Sequence, residues 1–182
     1  KFNLSFPPSE PLSLQISLVN NTINLTWYPP SKTFGYQIIN YTLFRGHNAS
    51  DINYYTTIGN KTTYSDLGAD PAKPYCYQIS AITPDGEGPL SAIVNYTPVL
   101  LGPSQNLHAS DGNGYVNLSW TPPIAPSGAP IQKYTIYKGI IPSGELFLTN
   151  VTSPFFNDTT VTNGQTYYYN VTAINVVGEG NF

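Results

Sequence analysis

The chain repeats itself. INLTWYPP, closing on Pro30, returns as VNLSWTPP, closing on Pro123, which sets Trp27 opposite Trp120. YTLFRG from Tyr41 returns as YTIYKG from Tyr134. Asp66 and Asp158 each stand nine residues before a tyrosine, Tyr75 or Tyr167, and Tyr-x-Tyr-x-Ile/Val-x-Ala follows in both copies. A period of 92 to 93 residues in a chain of 182 leaves room for two domains of about 90 residues and little else.

Within each copy the pattern has period two. Ile23, Leu25 and Trp27 face one way while Asn24 and Thr26 face the other; Tyr75, Tyr77, Ile79 and Ala81 oppose Cys76, Gln78 and Ser80. Turn residues recur every eight to twelve positions, and no stretch carries a capped helical period. The chain therefore reads as all-β, as two sandwiches.

Charge and sequons define the surroundings. Charged residues are 9% of the chain, against roughly 25% in an ordinary soluble domain, and the net charge is only −3. Neither a basic field for nucleic acid nor an acidic tail is present. No apolar run approaches the roughly 18 residues of a membrane span. Asn-x-Ser/Thr occurs at Asn3, Asn20, Asn24, Asn40, Asn48, Asn60, Asn95, Asn117, Asn150, Asn157 and Asn170. Chance pairing would give about three such motifs, so the chain is expected to carry N-linked glycans and to be secreted. Asn24, Asn117 and Asn170 fall on the outward parity, where a sugar projects into solvent. The single Cys76 cannot pair within its own chain. A start at Lys1 suits a mature protein whose signal peptide has been removed.

Both copies resemble fibronectin type III domains. The residues that carry the resemblance are Trp27 and Trp120, each followed by a Pro pair, the strands from Tyr41 and Tyr134, the Gly-Glu-Gly turns, and Tyr75 and Tyr167. The two tyrosines match the family's corner tyrosine, whose hydroxyl bonds back to the backbone near the E–F corner. The resemblance covers residues 11–98 and 103–182, with 1–10 as an N-terminal tail and 99–102 as a linker. It implies an all-β tandem of two fibronectin type III-like, immunoglobulin-like sandwiches, used as spacers or binding modules. The F–G turns, TPDGEG and NVVGEG, carry no Arg-Gly-Asp tripeptide.

Catalytic and metal constellations are missing from the sequence. His47 and His108 occupy unrelated positions in the two copies, and neither has an acid and a Ser or Cys arranged as a triad. Asp66 and Asp158 read as side-chain caps on turns. No His/Cys cluster has zinc spacing and no acidic run has calcium-loop spacing. The chain is expected not to be an enzyme and to need no cofactor beyond its glycans. Outward tyrosines such as Tyr54 and Tyr168 are the side chains that would touch surface glycans or other cells.

One asymmetry between the copies carries the functional expectation. The first copy runs on for ten residues after Gly86-Glu87-Gly88, whereas the second stops two residues after Gly178-Glu179-Gly180. The second domain is therefore expected to lack its own strand G. Ahead of the first domain lies KFNLSFPP, in which Phe2, Leu4 and Phe6 alternate with Asn3 and Ser5 as in a half-buried strand. Setting Pro8 against Pro98 makes this segment resemble a strand G. Residues 7–10 reach only about 14 Å, too little to return the tail to its own second domain. The expectation is a donor strand, Phe2, Leu4 and Phe6, seated in an acceptor groove of Tyr167, Tyr169, Val171 and Ala173 on another copy. A contact of that kind does not close on itself and builds a filament. Sequon density and scarcity of charge likewise resemble the donor-strand-linked, thread-type surface filaments of archaea. A spacer or adhesion pair cut from a larger secreted or cell-surface protein is the alternative.

Overall fold

The computed structural model describes residues 5–125 and 129–182 and divides into two compact units, Lys1–Pro98 and Val99–Phe182. Unit 1 contains β1 (Leu12–Val19), β2 (Thr22–Tyr28), β3 (Asn40–Gly46), β4 (Asn53–Thr57), β5 (Thr63–Asp66), β6 (Tyr75–Thr83), β7 (Gly86–Glu87) and β8 (Val94–Tyr96). Unit 2 contains β9 (Gln105–Gly112), β10 (Tyr115–Thr121), β11 (Lys133–Gly139), β12 (Leu146–Val151), β13 (Phe155–Asp158) and β14 (Tyr168–Ile174). All pairings are antiparallel, and no helix occurs among the described residues.

In unit 1 the sheets are β1–β2–β5 and β4–β3–β6, with β7 and β8 both pairing to the outer side of β6. This is the A-B-E and C′-C-F-G arrangement of a fibronectin type III-like sandwich. Unit 2 repeats it as β9–β10–β13 and β12–β11–β14. The chain is two such sandwiches in tandem.

The sequence dictates this packing through its alternation. Ile23, Leu25 and Trp27 are buried on the inner face of β2, and Leu118 and Trp120 on that of β10; the indoles are 4% and 6% exposed. Each Trp meets the first tyrosine of the facing strand edge-on, Trp27 with Tyr41 at 5.4 Å between centroids and Trp120 with Tyr134 at 5.2 Å. Such pairs contribute about 0.5–1.5 kcal/mol beyond the area they bury. Pro30 and Pro123, both buried, end strand B because proline has no N–H for the ladder. The corner tyrosines behave as the resemblance implies. The Asp70 N–H donates to the Tyr75 hydroxyl oxygen at 3.0 Å, and the Thr162 N–H to that of Tyr167 at 3.0 Å.

Three expectations need correction. Cys76 and Ser80, read as outward, are buried; Cys76 pairs with Asn95 of β8, and the Ser80 hydroxyl donates to Glu87. Leu101, read as linker, is 2% exposed and belongs to the core of unit 2 with Leu118, Trp120, Ile136 and Val171. Pro8 aligns with Leu101 rather than with Pro98. A side chain at Gly88 would strike the Pro8 carbonyl, and one at Gly180 the Leu101 carbonyl. The chain ahead of strand A thus crosses the F–G turn in both units, and only glycine permits that approach.

Candidate functional site

The two units differ at one edge. In unit 1 the outer side of β6 is paired, Tyr75 with Tyr96, Cys76 with Asn95 and Tyr77 with Val94. Farther along, the Ser91 N–H donates to Ile79 O at 2.8 Å and the Ile79 N–H to Ser91 Oγ at 3.1 Å. The outward-directed backbone groups of Tyr75, Tyr77 and Ile79 are therefore satisfied. In unit 2 the counterparts are Tyr167, Tyr169 and Val171 on and beside β14. Among the described residues, β14 pairs on that side only at its far end, through the Ile174–Glu179 bridge and the Gly180 N–H to Ala173 O bond of 2.8 Å. Tyr167, Tyr169 and Val171 have no strand partner on that side among the described residues.

The strands facing that edge also differ. In unit 1, β8 lies beside β1, on which Leu14 and Leu18 are buried and Ile16 is half-buried. In unit 2 the corresponding strand β9 is exposed along nearly its whole length. Leu107 is 36% exposed where Leu14 is 8%. Ala109 and Asp111 stand where unit 1 has Ile16 and Leu18. Tyr75 and Tyr77 are buried; Tyr167 and Tyr169 are only half-buried, and Tyr168 is exposed. Of the expected acceptor residues, Tyr167 and Tyr169 are half-buried, and Val171 and Ala173 belong to the core of unit 2.

A buried ionic cluster holds Tyr167 and Tyr169. Asp158, fully buried at the end of β13, accepts from Lys138 Nζ at 2.9 Å and from the Tyr169 hydroxyl at 2.7 Å. The Thr160 N–H and hydroxyl bond its other oxygen at 2.8 and 2.6 Å. Lys138 also lies 4.4 Å from the centre of the Tyr167 ring. Burial alone would raise the Asp158 carboxyl, but the bonds from Thr160, Lys138 and Tyr169 outweigh it and hold the pKa down to about 2. The Tyr169 hydroxyl is pushed up, first by burial and then by Asp158. Unit 1 repeats the device with Arg45 at 2.8 Å from Asp66, which also accepts from Tyr77 at 2.9 Å and Tyr55 at 3.0 Å. There the Tyr55 hydroxyl is pushed up to about 12, chiefly by burial. The turn-cap reading of these aspartates was incomplete: both do cap a turn, at Gly68 and Thr160, but both also neutralise a cation. One signal in the sequence pointed there. Arg45 and Lys138 recur at the same repeat position in a chain with only seven Lys and Arg.

The expected donor residues divide. Phe2 and Leu4 lie outside the described residues, as does the sequon at Asn3. Phe6 is exposed on unit 1, its N–H 2.7 Å from Asp85 Oδ2 and its ring 5.5 Å from that of Phe34. Among the sequons, Asn117 projects outward from β10 and Asn170 is half-exposed on β14. Asn24 is engaged, its amide donating to Thr22 O at 2.9 Å and its oxygen accepting from Ser65 at 2.6 Å. Asn20, Asn48, Asn60, Asn95, Asn150 and Asn157 are exposed, and Asn40 is half-buried. Tyr54 is exposed on β4. His47 bonds Pro74 O at 2.9 Å against the Tyr75 ring, and His108 is exposed on β9. Among the described residues no three His, Cys, Asp or Glu side chains converge as metal ligands, and no helix is long and apolar enough to cross a membrane.

Comparison with known proteins gives extended partial matches. No family model matches the chain. It is 31% identical over 180 residues to a Kelch domain-containing protein of Saccharolobus solfataricus, covering 96% of this chain and 23% of that protein. It is 26% identical over 185 residues to the netrin receptor DCC of Mus musculus, covering 96% of this chain and 13% of the receptor. The crystal structure of the FN1–FN3 domains of chicken CNTN1 aligns with a TM-score of 0.44 at 16% identity, over 97% of this chain and 66% of that one. The chain spans less than a quarter of the length of either curated relative.

Proposed function

We propose that the chain is a non-catalytic fibronectin type III-like pair of a larger secreted or cell-surface protein. Its units act as a glycosylated extracellular spacer. The repetition of one fibronectin type III-like sandwich in two separate compact units carries this reading. The relatives support the larger-protein part, since each match occupies a minor share of a long chain.

The alternation of Phe2, Leu4 and Phe6 with Asn3 and Ser5 favours a second reading, a homopolymeric filament in which those three side chains of one copy pack against the second unit of the next. That reading requires Phe6 to leave Asp85 and Phe34 of its own unit. The two readings separate on the mass of protein isolated from its source. A denatured polypeptide far above 19.9 kDa, running as one species natively, is the expected result. A denatured mass near 19.9 kDa plus glycans, with a native ladder of multiples, would overturn the spacer reading in favour of the filament.

A further inference from the structure

Between β12 and β13, unit 2 has a cleft of about 470 Å³ bordered by Asn150, Val151, Phe155, Phe156 and Asn157. These are the outer strands of the two sheets on the side away from β9 and β14. Unit 1 has the same outer strands, β4 and β5, where Tyr55 meets Tyr64 at 6.5 Å between ring centroids. That side is therefore a feature of the sandwich in both units. On β13, Phe155 and Asn157 share the exposed face, while Phe156 is half-buried and Asp158 buried. Phe155 is 65% exposed. Across the ladder it faces only the small Ser119, and Asn157 faces Asn117. The repeat sharpens the point, because the counterparts of Phe155 and Asn157 in unit 1 are Thr63 and Ser65. At this place unit 2 has both an exposed ring and an acceptor asparagine, and unit 1 has neither.

We infer that Phe155 is the seat of the first sugar of an N-linked glycan carried by Asn157. The inference rests on the glycosylated reading proposed above. Asn157-Asp158-Thr159 is an acceptor motif whose asparagine stands at an exposed strand position. On attachment, Asn157 Nδ2 takes C1 of a donor oligosaccharide from its phosphorylated lipid carrier and loses one proton. Residues i and i+2 of a strand lie about 6.6 Å apart on one face, so a sugar bonded to Asn157 lies within reach of the Phe155 ring. One face of a pyranose is a layer of C–H bonds, and the face of an aromatic ring is negative. Stacking the two removes apolar surface of both from water. Asn150, across the cleft, has its side chain engaged instead, accepting from the Thr135 hydroxyl at 3.0 Å. Leaning along β13 also keeps this sugar clear of Asn117.

The test compares the 182-residue chain secreted from a host that attaches N-glycans, trimmed to one N-acetylglucosamine per site, with the sugar-free chain made in bacteria. Peptide mapping should find Asn157 occupied, and proton spectra should show C–H signals of its sugar shifted upfield by the Phe155 ring. Melting of unit 2 is followed through the Val171 and Ala173 amide signals. Phe155→Ala should lower that midpoint by at least about 4 °C more in the glycoprotein than in the sugar-free chain. The excess should vanish in an Asn157→Gln background. Phe155→Leu, which keeps an apolar side chain, should abolish the upfield shift while unit 2 stays folded. Equal costs in both samples with no shifted sugar signal, or a bare Asn157 beside other occupied sequons, would overturn the stacking and leave the glycosylated reading intact. No sugar on any sequon of the secreted chain would overturn both.

Discussion

Trp120 and Asp158 are the residues on which unit 2 most depends. Trp120 packs on Tyr134 in a core that also holds Leu101, Leu118, Ile136, Val171 and Ala173. Trp120→Ala should destabilise unit 2 by about 3–5 kcal/mol through the cavity it leaves, measured as a shift in denaturant midpoint. Asp158 makes stability depend on pH with a definite sign. Its folded pKa of about 2 lies below the unfolded value near 4, so its contribution is full above about pH 4 and is lost as pH falls toward 2. The loss amounts to about 2 kcal/mol, roughly half of it by pH 3. Glu179, held low by Thr172 and Tyr137, adds in the same direction. Urea unfolding of unit 2 should therefore be flat from neutral to about pH 4 and fall below it, and Asp158→Asn should remove most of that fall. Lys138→Met should cost more, about 3–5 kcal/mol at neutral pH, because it strands a buried carboxylate.

At the scale of the element, the same strand pattern leads to two outcomes. The alternation on β2, β6, β10 and β14 made the strands and their inner faces legible from the sequence, because one face of each is buried and the period is fixed. The difference between the outer sides of β6 and β14 was legible too, since it follows from comparing one copy with the other. Pairing across the sheets was not. The bond between Asp158 and Lys138 joins residues on facing sheets, and no local pattern encodes that distance. The alignment of Pro8 with Leu101 was hidden as well, because it depends on a glycine contact and not on alternation. One substitution pair tests the difference between β1 and β9 directly. Leu14→Lys should unfold unit 1, since it buries a charge without a partner. Leu107→Lys, at the same place in unit 2, should change stability by less than about 0.5 kcal/mol. Thermal melts read both effects.

For the whole molecule, solubility must come from something other than charge, which is 9% of the residues. Sugar on exposed asparagines is the expected source. Intact-mass analysis of native protein should show additions above 19.9 kDa, with peptide mapping placing them at Asn117 and Asn170. Occupancy at Asn24 should be low, since its amide is already bonded to Thr22 and Ser65. The most direct measurement is amide exchange in the dilute 182-residue chain, comparing Tyr169 and Val171 on β14 with Tyr77 and Ile79 on β6. Fast exchange of the β14 pair beside slow exchange of the β6 pair is the predicted result, because the outer side of β6 is paired along Tyr75 to Ile79 and that of β14 only at its far end. Equal, slow exchange of both pairs in dilute solution would contradict this account of the two sandwiches.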